Sequence, residues 1–132
     1  MRLLLDTHAL LWFLADDPRL SRHADAAIKA PDTGVLVSVV SLWEITIKAG
    51  LGKLTVDEPF EETIAGRLAD ERINVLPVEI RHLAALRPLP HYHRDPFDRM
   101  LVAQALAEGV PVVTRDARFA AYGVAVVWDA PA

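Results

Sequence analysis

Four carboxylates stand out in this chain because each interrupts a setting where a charge is costly. Asp6 directly follows Leu3-Leu4-Leu5, and Asp116 ends Val112-Val113-Thr114-Arg115-Asp116. Glu44 lies among Val39, Val40, Leu42, Trp43, Ile45 and Ile47, and Asp98 lies in Asp95-Pro96-Phe97-Asp98-Arg99. A buried acid requires a partner, a proton or a metal. If the four converge, each pair about 5 Å apart costs roughly 3 kcal/mol at an effective dielectric near 20. A divalent cation removes that cost, and a donor set made only of oxygens suits Mg²⁺ or Mn²⁺ rather than zinc. Such a site favours attack of an activated water on a phosphodiester, the cation neutralising charge on the phosphate oxygens. Arg99 and Arg115, each beside one of the acids, and Lys48 are candidates for phosphate contacts.

Each acid also has an ordinary structural role open to it. Asp6 stands where it would cap a helix starting at Thr7, and Asp116 stands at a similar strand-to-helix turn. Ser41, Glu44 and Lys48 share one helix face at i, i+3 and i+7, so an exposed stripe with a Glu44–Lys48 pair is the alternative there. Asp95 with Asp98 three residues later mimics a capping box, and one can cap while the other faces a crevice. His91 and His93 form His-x-His in a Pro-rich loop, read as solvated and open to RNA with metal ligation as the lesser alternative. His8 reads as a helix-surface residue with approach to the crevice as its alternative, and Trp12, Trp43 and Trp128 as core or interface rather than base-stacking platforms. There is no Gly-rich phosphate loop and no nucleophile motif.

The elements that must position these groups alternate between apolar runs and helical patterns. Strands are predicted at Arg2–Asp6, Gly34–Val37, Asn74–Pro77, Val110–Thr114 and Val124–Trp128. Helices are predicted at Thr7–Ala15, Ser21–Ala30, Val39–Ala49, Pro59–Arg72, Glu79–Leu86 and from Asp95-Pro96 to Glu108, with a helical turn at Asp116–Ala121. Alternating strands and helices imply an α/β fold with a mainly parallel sheet. Functional crevices in such sheets lie beyond the carboxyl ends of the strands, which is where Asp6 and Asp116 fall. They meet only if their strands are neighbours.

Composition sets outer bounds. The 132 residues, 52% hydrophobic and 24% charged, are enough for one domain spanning 1–132, and no repeat or linker divides them. The absence of cysteine excludes disulfides and zinc-thiolate sites and fits a reducing cytoplasm. No stretch approaches the ~20 apolar residues of a membrane span, so a soluble, cytoplasmic protein is expected. The net charge of −4 is uneven. Residues 55–80 hold seven acids and two arginines, leaving eleven acids and twelve bases elsewhere. Nucleic acid is therefore not excluded as a partner.

Taken in order, Leu4-Leu5-Asp6-Thr7-His8, Ser41-Leu42-Trp43-Glu44-Ile45, Asp95-Pro96-Phe97-Asp98-Arg99 and Val113-Thr114-Arg115-Asp116 resemble the PIN-domain family over roughly residues 2–128. Met100-Leu101-Val102-Ala103-Gln104-Ala105, which joins the last two, is also typical of it. The resemblance implies a PIN-like (flavodoxin-like) α/β/α sandwich with a roughly five-stranded sheet. It implies Mg²⁺ or Mn²⁺ held by Asp6, Glu44, Asp98 and Asp116, with the hydroxyls of Thr7, Ser41 and Thr114 beside it. A chain this short is similar to VapC-type toxins of VapBC pairs. That implies an endoribonuclease acting on transfer or ribosomal RNA, restrained by a VapB-type antitoxin and commonly homodimeric. Alternatives are a PIN scaffold that binds RNA or protein without catalysis, and an RNA-processing PIN nuclease. A phosphoacceptor receiver domain fits poorly, because Asp6 is followed by Thr7-His8 rather than a second acid, and Trp128-Asp129-Ala130 supplies no lysine.

Overall fold

Alternation along the first strands divides the sheet's two faces. In the computed structural model, residues 1–130 are described; Pro131 and Ala132 of the expected domain lie outside them. Strand β1 (Arg2–Leu5) and strand β2 (Gly34–Ser38) send successive side chains to opposite sides. Leu3, Leu5, Val35 and Val37 meet Leu10, Ile28, Ile64 and Leu68 on one face, while Leu4 and Leu36 meet Leu101, Val102 and Phe119 on the other. Because both faces are covered, the strands read as unbroken apolar runs. Helices α1 (Thr7–Leu14), α2 (Arg22–Lys29) and α4 (Phe60–Asp70) cover the first face. Helices α5 (Ile80–Leu86) and α6 (Pro96–Glu108), with a 3-10 helix at Ala117–Tyr122, cover the second. Helix α3 (Val39–Gly50) packs against both α1 and α6. Most of the acidic excess rides on or beside α4, which buries only Phe60, Ile64 and Leu68, one face at i, i+4 and i+8.

The sheet is an α/β/α centre of five strands in the order β3-β2-β1-β4-β5, and every pairing is parallel. Three strands come out shorter or shifted relative to the apolar runs, and prolines explain two of them. β4 narrows to Val112–Val113 because Pro111 has no N–H to give, and β3 is Ile73–Leu76, stopping before Pro77. β5 is Val126–Val127, limited by the short partner it pairs with. The chain runs outward from β1 to β3, then crosses back to β4 on the other side of β1. The β1–β4 boundary is thus a topological switch point, where loops diverge and leave a crevice.

Helix α6 is fastened at both ends. The Asp95 carboxylate accepts from the Phe97 N–H at 2.8 Å, Pro96 occupies the first turn, and Gly109 ends the helix at φ +66°. Near that end Glu108 accepts from His82 Nε2 at 3.0 Å and pairs with Arg81 and Arg2. His82 in first place, then Arg81, hold the Glu108 carboxyl below its ordinary value. This pinning to α5 and β1 sets the opposite end of α6, with Asp98, at the switch point. Among the described residues no helix is long and apolar enough to cross a membrane.

Candidate functional site

The Asp6 N–H donates to the Val113 carbonyl at 3.1 Å, so β1 and β4 deliver Asp6 and Thr114 side by side. The Asp6 Oδ1 accepts from the Ala9 N–H at 2.8 Å. Asp6 therefore caps α1 and faces the crevice at once; the two readings coexist. Burial pushes its carboxyl above the ordinary value, opposed by the Thr114 hydroxyl and the Ala9 N–H, while Asp116 adds to the rise.

Glu44 enters from α3 and is only 5% exposed. Thr7 Oγ1 donates to its Oε1 at 2.7 Å, Lys48 pairs with its Oε2, and Ser41 Oγ lies 3.0 Å from Thr7 Oγ1. Thr7 has one proton, which goes to Glu44, so Ser41 donates to Thr7. The expected Glu44–Lys48 pair is present, but the exposed stripe is not: Ser41 and Glu44 are buried, and Lys48 alone reaches outward. The reason is the packing of α3 between α1 and α6, which turns this polar face inward.

Asp98 stands in the first turn of α6. With Asp95 committed to the cap, Asp98 points to the crevice half-buried, and no donor among the described residues satisfies it. Its carboxyl is pushed up to about 6, first by desolvation, then by Asp95, with Glu44 and Asp6 adding and His93 opposing.

Asp116 is the most heavily restrained of the four. It caps the 3-10 helix through the Arg118 N–H at 3.0 Å, and the Arg118 guanidinium grips both of its oxygens. His93 Nε2 lies 2.8 Å from its Oδ2. Arg118 foremost, then His93, hold the Asp116 carboxyl well below the usual carboxylate range. His93 corrects the expectation of a solvated loop: it is 1% exposed, whereas His91 is exposed. Tyr122 explains why. Its hydroxyl accepts from the His93 N–H at 2.8 Å and sits 3.1 Å from Nδ1, and Phe119 packs edge-on at 5.0 Å. Nothing in the periodicity marks His93, because its partners lie more than twenty residues downstream.

One nitrogen of His93 and one oxygen each of Asp98 and Asp116 lie within 4.8 Å of one another. Asp6 and Glu44 adjoin them, near enough to raise Asp98 further. The donors are oxygens with one imidazole, and the under-neutralised Asp98 is the group a hard divalent cation would satisfy. Of the three basic candidates, Lys48 is paired with Glu44, and Arg99 donates to the carbonyls of Pro90 and Leu89 at 2.7 and 3.3 Å. Arg115 has no acidic partner among the described residues. It lines a cavity of about 360 Å³ with Asp6, His8, Trp12, Arg19 and Asp116. His8, Trp12 and Arg19 belong to this crevice; the approach of His8 is the lesser of its two sequence readings, Trp12 reads as core or interface, and nothing in the sequence singles out Arg19.

A parallel α/β/α protein with acids gathered at its switch point is the class that fold and site define. The PIN domain model matches residues 3–125, and the chain belongs to the PIN-domain family. It is 30% identical over 116 residues to Ribonuclease VapC22 of Mycobacterium tuberculosis, 87% of each chain being covered. Among solved structures, VapBC2 from Rickettsia felis, bound to a promoter DNA fragment, matches with a TM-score of 0.74 at 18% identity, covering 98% of this chain and 100% of that one. FitAcB from Neisseria gonorrhoeae matches with a TM-score of 0.62 at 22% identity, covering 94% and 95%. At such identities these two likenesses concern the fold.

Proposed function

We propose that this chain is a Mg²⁺- or Mn²⁺-dependent endoribonuclease and the toxin of a type II toxin–antitoxin pair. The observation that carries the reading is the unsatisfied carboxylate of Asp98 beside Asp6, Glu44 and Asp116. The relative named as a ribonuclease and the VapBC complexes of like fold support the activity and a VapB-type antitoxin partner. Asp6, Glu44, Asp98 and Asp116 would hold the cation. When bound, the cation supplies an activated water and offsets charge developing on the phosphate oxygens. The chain's own groups do the rest. Lys48 and Thr7 hold Glu44 aimed inward, and Arg118 with His93 keep Asp116 ionised. The Thr114 hydroxyl orients Asp6. Transfer or ribosomal RNA in the cytoplasm is the substrate proposed.

The test is RNA cleavage by purified protein with Mn²⁺ or Mg²⁺, comparing wild type with Asp6→Asn. Metal-dependent cleavage by wild type only is the expected outcome. An inactive wild type on varied RNAs that nonetheless binds them would favour a scaffold, and equal activity in both proteins would sink the site.

A homodimer is part of the same proposal. Val39, Trp43, Val78, Leu86, Phe97 and Met100 line an almost wholly apolar groove of about 480 Å³, with Trp43 59% exposed. A second copy of the chain is the occupant proposed, since apolar surface of this kind marks association. Trp43→Glu should shift a dimer to a monomer in light scattering on a sizing column. An unchanged mass would place the interface elsewhere.

A further inference from the structure

His93 stands on the loop between α5 and α6, two residues before the Asp95 cap and five before Asp98. From there it reaches across to the 3-10 helix after β4, meeting Asp116 at its start and Tyr122 at its end. The loop is itself fastened, since Arg99 of α6 donates to its Leu89 and Pro90 carbonyls. The ring is 1% exposed, stacked on Tyr122 with 13° between the planes and met edge-on by Phe119. RNA cannot touch a side chain so enclosed, so any part it has in the chemistry passes through its neighbours.

Counting protons shows what that part is. The Tyr122 hydroxyl oxygen accepts from the His93 N–H at 2.8 Å, which leaves its own proton for Nδ1 at 3.1 Å. Nδ1 is then an acceptor and the ring proton sits on Nε2. There it faces Asp116 Oδ2 at 2.8 Å, and a carboxylate can only accept. Both ends of the ring therefore require the same tautomer. A nitrogen that gives its proton to Asp116 has no lone pair for a cation. Although Nε2 lies within 4.8 Å of oxygens of Asp98 and Asp116, His93 is thus not a ligand but a group that aims one. Arg118 grips the same carboxylate, but its side chain is 63% exposed and has no other partner among the described residues. A contact so open to solvent is weak and exchangeable. Of the two donors, only His93 is built to stay when a cation takes up Asp116.

We propose that His93, fixed in its Nε2–H tautomer by Tyr122, is a positioning residue that holds Asp116 toward the cation. It also ties the loop leading to Asp98 onto the 3-10 helix that begins at Asp116, and so sets the spacing of those two acids. This rests on the metal site of the nuclease reading and adds His93 and Tyr122 to it. Partners of this kind change metal affinity roughly 10–100-fold when they are removed.

The test joins calorimetric titration of the folded chain with Mn²⁺ to long-range proton–nitrogen NMR of the His93 ring in EDTA. The spectrum should show a protonated Nε2 and a bare Nδ1, and the reverse pattern would overturn the proposal. His93→Phe keeps a ring against Tyr122 and Phe119 but has no donor, and should raise the Kd for Mn²⁺ at least about tenfold. His93→Gln, whose amide N–H reaches about as far as Nε2, should recover most of that loss. Tyr122→Phe keeps the stack and removes the hydroxyl. It should bring both tautomers into the spectrum and weaken Mn²⁺ binding, and it carries the test if His93→Phe fails to fold. If His93 only fills space, the variants will melt lower while their Kd matches the wild type, and the positioning role is then rejected. RNA cleavage by the wild type in Mn²⁺ is scored separately. An active wild type with an unmoved Kd in the variants rejects only the role of His93. A wild type that binds Mn²⁺ without cleaving rejects the nuclease reading, while the Kd values still decide for or against His93. A wild type that binds no Mn²⁺ overturns both.

Discussion

Replacing Asp98 with Asn is expected to abolish RNA cleavage and at the same time raise the melting temperature of the metal-free protein. The two effects share one cause. The Asp98 carboxyl is pushed up to about 6 from 3.8 because folding takes it partly out of water and places Asp95, Glu44 and Asp6 around it. Below the unfolded value, both states are protonated and the group contributes nothing. As pH rises from about 4 to 6, the unfolded chain loses the proton and the folded chain does not, so stability falls. Above about 6 the penalty is complete. A two-unit shift corresponds to about 3 kcal/mol, which solvent screening of a half-buried group reduces to about 1–2 kcal/mol. Asparagine never ionises and escapes that penalty, so at neutral pH in chelator the variant should melt roughly 3–8 °C higher. Cleavage should drop at least ~100-fold, about 2.7 kcal/mol of barrier, because the cation loses a charged donor. Calorimetry in EDTA and an RNA gel check the pair of outcomes. A variant that is both less stable and inactive would mean that Asp98 is an ordinary structural carboxylate.

The legible and illegible parts of this molecule divide along a physical line. Runs such as Leu3-Leu4-Leu5 and Val35-Leu36-Val37 announce strands buried on both faces, and Asp95-Pro96 announces a helix start, because these are local consequences of side-chain chemistry. Asp6 and Asp116 at strand ends were legible for the same reason. Their meeting was not, since it depends on β4 crossing back to lie beside β1. The burial of Glu44 was ambiguous because a stripe at i, i+3 and i+7 is drawn identically whether it faces water or a neighbouring helix. His93 was legible as part of His-x-His, but its burial was not, because it depends on Tyr122, 29 residues later, and on Asp116, 23 residues later. Arg99 is singled out by its adjacency to Asp98, but the reach of its guanidinium back nine or ten residues to the loop before α6 is not written in that adjacency.

Mg²⁺ or Mn²⁺ should raise the melting temperature of the wild type, and the rise should be much smaller at pH 5 than at pH 7.5. A ligand that binds only the folded state adds RT ln(1 + [L]/Kd), about 2.7 kcal/mol at a hundredfold excess over Kd. At pH 5 the cation must first displace the proton from Asp98, whose folded value near 6 leaves that group mostly neutral. Asp6, raised by burial, works in the same direction. Asp116 works in the opposite one. Arg118 and His93 hold it below the usual range, so it stays charged at both pH values and contributes no pH sensitivity in this window. Its own stabilisation is present above the unfolded carboxylate range and is lost only in stronger acid. Metal-induced stabilisation should therefore follow the ionisation of Asp98 and Asp6, and it should nearly vanish at both pH values in Asp98→Asn and Asp6→Asn. Thermal melts with and without metal at the two pH values decide the matter. Equal shifts in all three proteins would mean that the cation binds elsewhere. A shift in the wild type that ignores pH would mean that Asp116, held ionised by Arg118 and His93, carries the cation with Glu44 and without Asp98.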